Sequence, residues 1–334
     1  MGKWRILITD YEFNDLSIEE KVLSKLGNVE IIKGQCNTED QVIHLARDVD
    51  GIINQYAPIG EKVINSLEYC KVISRYGVGV DTIDLAAASS KGIYVTNVPD
   101  YGVEEVSNHA LALLLSWSRK ITQLNNYVKK GVWDFKLGMP ISRYSNQTLG
   151  VIGFGRIPRS FVKKAKAFGF NIIVHDPFVP DDVIIAEGAT PDSLDGVLVQ
   201  SDYISVHVPL TKETTHLFNR EKFKLMKKNA VIINTARGAI INEQDLLDAL
   251  LAKEIAGAAI DVLETEPIHH DHPLLSLDNV IITPHTAWYS EEAMIELRTK
   301  TAQNIVDVLE NKQISYLVNK EIINIGKEHE KIES

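Results

Sequence analysis

Short apolar runs alternate with segments whose apolar residues recur at helical spacing along almost the whole chain, and no other feature constrains the fold as strongly. This alternation is typical of parallel sheets whose strands are joined by crossover helices. The sequence therefore predicts an α/β fold with doubly wound sheets. The predicted strands are 5–9, 29–33, 51–54, 72–75, 93–96, 148–153, 171–175, 203–208, 230–234, 256–262 and 280–283.

Polar residues mark where the helices between these strands begin. Ser17 with Glu20 and Thr38 with Gln41 have the spacing of capping boxes, in which side chains bind backbone N–H groups of the first turn. Ser290 precedes the last apolar stripe and is predicted to cap the final helix.

The longest helical pattern spans 103–130 and has one broad apolar face. Such a face is normally buried in a core or in a dimer, so it favours a homodimer. The chain beyond residue 319 is polar and charged, and it is predicted to fray.

Length and composition exclude several classes of protein. A chain of 334 residues is expected to form two domains. Its net charge of -10 and pI near 5.5 provide no basic surface for nucleic acid or anionic lipid. Cys36 and Cys70 fit a reducing compartment, no signal peptide is recognisable, and the apolar stretch 111–117 is far shorter than the ~20 residues of a membrane span. We expect a soluble, cytoplasmic protein that binds neither nucleic acid nor a membrane.

Gly153 and Gly155 lie between an apolar strand and an amphipathic helix. In this context two glycines allow a tight turn and a close approach of pyrophosphate to the helix N-terminus. Pro158 replaces the third glycine, which the first turn of a helix tolerates. Asp176, at the end of the next strand, is where a carboxylate binds ribose hydroxyls and repels a 2′-phosphate, so NAD is favoured over NADP. The alternative is an ordinary turn with Asp176 as a turn residue.

Three further polar side chains, Arg237, Glu266 and His285, follow predicted strands in the same half of the chain. The carboxyl ends of strands are where ligands bind in doubly wound sheets. Taken alone, each has an ordinary interpretation: a surface cation, an acidic residue at a helix start, and a packed core histidine. Glu264, two residues before Glu266, is an alternative candidate for the acidic member of this set.

At these motifs the sequence resembles the D-isomer-specific 2-hydroxyacid dehydrogenase family, and within it the C-terminal-binding-protein-like branch. The resemblance implies two Rossmann-like or flavodoxin-like domains with an active-site cleft between them. It also implies an NAD-dependent oxidoreductase that interconverts a 2-oxo acid and a D-2-hydroxy acid. The motifs that carry it are 72–81, 234–238, 257–262 and 283–285, with 165–171 and 285–290 for the branch.

The resemblance also implies roles for single residues. Arg237 would hold the substrate carboxylate, because a guanidinium matches a carboxylate bidentately. His285 would exchange the proton with the substrate oxygen, and Glu266 would orient its ring. Asp261 would contact the nicotinamide carboxamide.

Two sets of contact residues follow. The residues predicted to contact the cofactor are Val78, Gly153, Gly155, Arg156, Ile157, Asp176, His207, Val208, Pro209, Thr214, Thr235, Ala236, Arg237, Asp261, His285 and Ala287. Those predicted to contact the substrate are Arg75, Val78, Gly79, Arg237, His285 and Trp288. Trp288 and Tyr76 indicate a substrate with an apolar or thioether side chain.

These positions also divide the chain into domains. Residues 99–287 are predicted to form the NAD-binding Rossmann domain. Residues 1–98 with 288–334 are predicted to form a discontinuous substrate-binding domain.

Other interpretations stay open at this point. The same branch contains NAD(H)-sensing corepressor scaffolds, and phosphite dehydrogenases share the Arg, Glu and His set. His269, His270 and His272 surround Asp271 but lack helical spacing or cysteine partners, so no metal is expected.

Overall fold

The computed structural model describes residues 2–323, which form two compact units. The first unit comprises the described chain up to Gly102 and from Ser290 onward, and the second comprises Val103–Tyr289. These breaks fall a few residues after the predicted ones at 98/99 and 287/288, so Trp288 belongs to the second unit. Each unit contains its own parallel sheet.

The strands and helices alternate in chain order. They are β1 Trp4–Ile8, α1 Ser17–Leu23, β2 Val29–Lys33, α2 Glu39–Ala46, β3 Gly51–Asn54, α3 Glu61–Ser66, β4 Val72–Arg75, α4 Leu85–Ser90, β5 Tyr94–Thr96, α5 Val103–Ser118, α6 Ile121–Lys129, β6 Thr148–Ile152, α7 Arg156–Lys166, β7 Asn171–His175, α8 Asp181–Ala186, β8 Thr190–Pro191, α9 Leu194–Gln200, β9 Tyr203–Val206, α10 Arg220–Leu225, β10 Val231–Asn234, α11 Glu243–Leu251, β11 Gly257–Ile260, β12 Val280–Ile282 and α12 Glu291–Leu309.

Both sheets are doubly wound, which confirms the predicted fold class. The first has the strand order β2-β1-β3-β4-β5 and the second the order β12-β11-β10-β9-β6-β7-β8, and the paired strands are parallel. The chain reverses its winding direction between β1 and β3 and between β6 and β9. Ligands of such sheets bind beyond the carboxyl ends of the strands at these reversal points.

Strands buried on both faces explain why their sequences are continuous apolar runs rather than alternating ones. β3, β4, β9 and β10 are buried at every residue. Helices cover both faces of the second sheet: α7 packs Phe161 and Val162 into one core, while α11 packs Leu246 and Leu250 into the other. The ends of the strands are therefore held in place by packing, and this fixes the positions at which the following loops begin.

The predicted helix 103–130 is two helices. Lys120 adopts a left-handed φ of 57° between α5 and α6 and redirects the chain, while its ammonium lies 3.2 Å from the centroid of the Trp117 ring. No residue of α6 is buried. The apolar periodicity of the sequence continues past Lys120, because α6 has an apolar stripe of its own, and it therefore predicted a single helix.

The predicted caps have mixed outcomes. Thr38 and Gln41 form the capping box, and Ser290 caps α12 by accepting from the N–H of Ala293 at 3.0 Å. The prediction for Ser17 is wrong, because Leu16 is the N-cap of α1 and the Ser17 hydroxyl donates to the Asp15 carboxylate at 2.6 Å. The Ser17 side chain therefore binds an aspartate that precedes the helix instead of a backbone N–H of the first turn.

The start of the predicted frayed tail is packed. Ile322 is buried, and the Asn319 amide donates to the carbonyl of Ile93 at 2.9 Å. The rest of that prediction, from residue 324, lies outside the described residues. Across residues 2–323, no helix has the length and apolarity to cross a membrane.

Candidate active site

The glycine-rich turn joins β6 to α7. Gly153 has a φ of 94°, and a Cβ there would lie 3.0 Å from the backbone carbonyl of His207, so glycine is required. Around Gly155, which caps α7, no described atom other than those of the glycine and its chain neighbours lies within 4 Å of where a Cβ would be. The first N–H groups of a helix have no intrahelical acceptor, so those of Arg156 and Ile157 are available to an anion beside this open space.

Pro158 is compatible with this turn. It is buried in the first turn of α7, where its missing N–H removes no helical hydrogen bond. Gly155, the N-cap of α7, has no side chain that could bind the free N–H groups of the first turn. The departure from the three-glycine pattern therefore leaves the anion-binding end of α7 intact.

Asp176 is held beside the turn by two backbone donors. Its Oδ2 accepts from the N–H of Phe154 at 2.7 Å and its Oδ1 from the N–H of Phe178 at 2.8 Å. A carboxylate has further lone pairs, so ribose hydroxyls can bind it in the same place. These residues fit a dinucleotide whose ribose carries no 2′-phosphate.

The chain after β9 forms the neighbouring wall. The His207 ring contacts the Ser205 hydroxyl at 2.8 Å, and desolvation lowers the pKa of His207 to about 3, so this ring is neutral in neutral solution. Thr214 donates to the carbonyl of Pro209 at 2.6 Å and closes the loop that directly follows Val208. Because β6 and β9 are neighbours, this wall and the glycine-rich turn lie at one reversal point of the sheet.

The end of β10 positions Arg237. The Asn234 side chain donates to the carbonyl of Arg237 at 2.9 Å and accepts from the N–H of Ala236 at 3.0 Å, which fixes the turn. Arg237 itself is half-buried. The hydroxyl of Thr235 is buried and has no hydrogen-bond partner within residues 2–323, as expected of a polar atom beside a ligand site.

His285 and Glu266 form a close pair. His285 Nδ1 lies 2.6 Å from Glu266 Oε2, and Glu266 Oε1 accepts from the N–H of Leu263 at 2.9 Å. Desolvation acts to raise the pKa of Glu266, but the hydrogen bond and charge of His285 outweigh it, and the net pKa is lowered. Glu266 is therefore an ionised partner for the imidazole at neutral pH.

Glu264, the competing glutamate, has other partners. Its Oε1 accepts from the N–H of Glu243 at 2.7 Å and lies 3.3 Å from His216 Nε2. The choice between the two glutamates, which the residues alone left open, is thus decided by the contacts.

Asp261, which is predicted to contact the nicotinamide carboxamide, also has a structural role. Its carboxylate accepts from the N–H of Thr286 at 3.0 Å, the N–H of Ala287 at 2.8 Å and the hydroxyl of Thr283 at 2.5 Å. Its carbonyl accepts from the N–H of His285, which has a left-handed φ of 51°. Asp261 therefore fixes the segment that bears His285 in an unfavourable backbone conformation.

The sequence interpretation missed the role of His109. Its Nε2 lies 3.0 Å from the Thr283 hydroxyl and 3.4 Å from Asp261 Oδ1, so α5 supports the His285 segment from behind. Desolvation acts to raise the pKa of Asp261, but the hydrogen bonds from His109, Thr283 and the backbone lower it overall. No sequence signal could pair His109 with Asp261, because contacts between distant segments follow only from the packing of α5.

The first unit places its predicted substrate residues at the end of β4 and in the loop that follows it. The N–H of Val98 donates to the carbonyl of Gly77 at 2.9 Å, and the Asn97 amide donates to the carbonyl of Val78 at 2.6 Å. In a trans peptide the carbonyl and the following N–H point in opposite directions. The N–H groups of Val78 and Gly79 therefore point away from the segment that holds those carbonyls.

Trp288 and Tyr76, the two aromatic residues from which the type of substrate was predicted, lie in different surroundings. Trp288 is half-buried and packs edge-on against Tyr289, with ring centroids 5.6 Å apart. Tyr76 is 3% exposed, and its hydroxyl donates to the Glu19 carboxylate at 2.8 Å. The interpretation of Tyr76 as an indicator of substrate type is therefore wrong, since its side chain points into the core of its own unit.

The histidine-rich loop is exposed. His269 Nδ1 hydrogen-bonds to Asp271, and His270 lies beside them, close enough for a shared ion. His272 turns away and contacts the Glu243 carboxylate at 2.8 Å. Within the group, the rings of His269 and His270 pack with their centroids 4.3 Å apart.

Comparisons with known proteins agree with this architecture. Residues 111–287 match the NAD-binding domain of D-isomer specific 2-hydroxyacid dehydrogenases. The D-3-phosphoglycerate dehydrogenase of Methanocaldococcus jannaschii is 42% identical over 94% of this chain, and the chain spans 59% of its length. The glyoxylate reductase of Korarchaeum cryptofilum is 33% identical over 92% of this chain and 95% of its own.

A solved structure gives the same result. D-lactate dehydrogenase from Aquifex aeolicus, complexed with NAD and lactic acid, superposes with a TM-score of 0.85 over 94% of this chain and 99% of that one, at 29% identity. The likeness to the C-terminal-binding-protein-like branch stays a prediction. At the level of the family the resemblance is confirmed: the chain belongs to the D-isomer-specific 2-hydroxyacid dehydrogenases.

Proposed function

We propose that this protein is an NAD-dependent oxidoreductase that interconverts a 2-oxo acid and a D-2-hydroxy acid. The observation that carries the proposal is the pair of His285 and Glu266 at the carboxyl ends of the strands, 2.6 Å apart. Together with the dinucleotide-type turn at Gly153, it supplies both parts that such a reaction needs: a place for the hydride carrier and a group that exchanges a proton.

The residues divide the chemistry as follows. NAD held by the glycine-rich turn and Asp176 would supply or accept the hydride at the carbon that bears the substrate oxygen. Because His285 Nδ1 faces Glu266, its Nε2 is the nitrogen that gives the proton to the keto oxygen and takes it back in the reverse direction. The ionised Glu266 stabilises the imidazolium and fixes the ring. Arg237 binds the carboxylate and polarises the carbonyl through its planar fork of donors.

The N–H groups of Val78 and Gly79 are also proposed to bind the substrate carboxylate. The N–H groups of Val78 and Gly79 share one loop whose carbonyls are already bound, so two adjacent donors can converge on one anion. Arg75, at the end of β4, adds a positive charge close to this loop. The overall charge of -10 opposes an anionic substrate, so these local donors must supply the attraction. Trp288 is proposed to contact the substrate side chain.

The proposal is tested by mixing the protein with NADH and a panel that contains glyoxylate, pyruvate and 3-phosphohydroxypyruvate. We expect oxidation of NADH with at least one 2-oxo acid, and D-lactate rather than L-lactate wherever pyruvate is the substrate. No oxidation across the panel, or an L product, would overturn the proposal. Phosphite with NAD, run in parallel, tests the phosphite-type alternative.

Cofactor choice gives a prediction at Asp176. We expect kcat/KM for NADH to exceed that for NADPH by about 100-fold, because the carboxylate repels a 2′-phosphate and accepts from ribose hydroxyls. The Asp176→Asn variant removes the charge and is expected to reduce that ratio by about tenfold, which corresponds to about 1.4 kcal/mol. Asp192→Asn, a change of the same type further along the chain, serves as control. A wild-type preference for NADPH would contradict the prediction.

We also propose a homodimer, formed through the segment from α6 to residue 141. Its apolar side chains include Trp133, 88% exposed, Phe135, 77% exposed, and Met139, 64% exposed. Monomers rarely expose so many large apolar groups together, so we propose that a second copy of the chain covers them.

A cytoplasmic location is proposed as well. The two cysteines are both free, which fits a reducing compartment.

Light scattering tests the dimer. We expect about twice the 37.3 kDa chain mass for the wild type, and a single chain mass for the double variant Trp133→Glu/Phe135→Glu, because the new charges would be buried in the interface. Phe178→Glu, at an equally exposed aromatic elsewhere, is expected to leave the mass unchanged. A wild-type mass of one chain at micromolar concentration would refute the dimer.

A further inference from the structure

A buried ion pair in the first unit has no part in the chemistry proposed above. Arg298, on α12, is 4% exposed, and Glu19, on α1, is 0% exposed. The guanidinium donates from Nε to Glu19 Oε1 at 2.8 Å and from Nη2 to Oε2 at 2.7 Å. Taking two charges out of water carries a penalty that an apolar pair would avoid, so stability alone does not explain it.

The third member of this cluster is Tyr76. Its hydroxyl donates to Glu19 Oε1 at 2.8 Å, and its ring packs edge-on against Phe13, with centroids 5.3 Å apart. The Arg298 guanidinium also lies over the Phe13 ring, 4.7 Å from its centroid. The Tyr76 N–H also donates to the carbonyl of Asn54 at 2.8 Å. Tyr76 is thus fixed through both its backbone and its side chain.

Tyr76 directly precedes a loop that would otherwise be mobile. Gly77 has a φ of 130°, and glycines have the largest backbone freedom in a flexible chain. The bonds from Val98 to Gly77 and from Asn97 to Val78 hold the carbonyls of the first two loop residues. Tyr76 fixes the residue directly before them, so the beginning of the loop, which bears the N–H groups of Val78 and Gly79, is anchored.

We propose that Tyr76, held by the Glu19–Arg298 pair, is a positioning residue for the substrate carboxylate. It keeps the N–H groups of Val78 and Gly79 in one orientation before the substrate arrives, which reduces the ordering entropy that binding must overcome. The proposal rests on the proposed function, which assigns those N–H groups to the carboxylate. It extends the binding site to three buried side chains that never touch the substrate.

The test is a kinetic comparison of Tyr76→Phe with Tyr203→Phe. Tyr203 is also a buried tyrosine, but it packs against Trp117 and Phe170 in the second unit. With the 2-oxo acid that the wild type reduces fastest, we expect KM to rise about tenfold in Tyr76→Phe, a change of about 1.4 kcal/mol. The KM for NADH should stay within about twofold of the wild type, and Tyr203→Phe should change neither KM.

The outcomes separate the two proposals. An unchanged KM for the 2-oxo acid in Tyr76→Phe, or an equal rise in both KM values, would overturn the positioning role while leaving the function intact. A wild type that reduces no 2-oxo acid would overturn the function. In that case, amide hydrogen exchange of residues 76–80 tests the positioning role of Tyr76. Exchange about tenfold faster in Tyr76→Phe than in Tyr203→Phe supports this role, and equal exchange rejects it.

Discussion

Replacing His285 by alanine is expected to lower kcat by about 10²- to 10⁴-fold, because general acid–base catalysis by a positioned side chain contributes a factor of that size. The KM for NADH should change little, since the glycine-rich turn is untouched. The measurement is steady-state turnover with the best 2-oxo acid of the panel. Glu266→Gln should give a smaller loss of kcat, because the imidazole keeps a hydrogen-bond partner but loses the ionised one 2.6 Å away.

His216 provides a matched control for His285. It also has a left-handed φ of 51°, and its Nε2 lies 3.3 Å from the carboxylate of Glu264. His216→Ala is therefore expected to repeat any structural consequence of removing a strained histidine beside a glutamate, without loss of the proton donor. If His285→Ala retained wild-type turnover, or if His216→Ala lost as much, the assignment of His285 would be refuted.

The largest expected effect on stability is that of Gly238→Ala. A Cβ at this position would lie 1.9 Å from the carbonyl carbon of Leu263 and 2.5 Å from the nitrogen of Glu264. Backbone atoms cannot yield as a flexible side chain can, so one of the two segments must move. We expect the free energy of unfolding to fall by about 3 kcal/mol, the upper part of the range for overpacking.

The same substitution should also reduce turnover in the molecules that remain folded. The N–H of Leu263 holds Glu266, so movement of that segment displaces the partner of His285. Chemical denaturation measures the stability, and activity per folded molecule measures the second effect. Gly155→Ala serves as the stability control, because its Cβ would enter open space, and it should lose less than about 1 kcal/mol while raising the KM for NADH. Equal stabilities of the two variants would contradict the prediction.

The strands were predictable because parallel strands buried on both faces leave continuous apolar runs in the sequence. The glycine-rich turn was predictable for a related reason, since the space at Gly153 and the φ it adopts exclude every side chain. The break at Lys120 was not predictable. An amphipathic stripe on either side gives the same period, and one left-handed residue changes the direction of the chain without changing that period.

The site divides in the same way. By itself the sequence determined the α/β class and the glycine-rich turn between a strand and a helix, because short local patterns encode strands and turns. Its resemblance to the family proposed Arg237, Glu266 and His285 as the reactive groups. Only the tertiary structure decided that Glu266 rather than Glu264 faces His285, that Asp261 and His109 hold the His285 segment, and that Tyr76 points inward to Glu19. These are contacts between segments far apart in the chain, and they depend on strand order and helix packing, which no local pattern records.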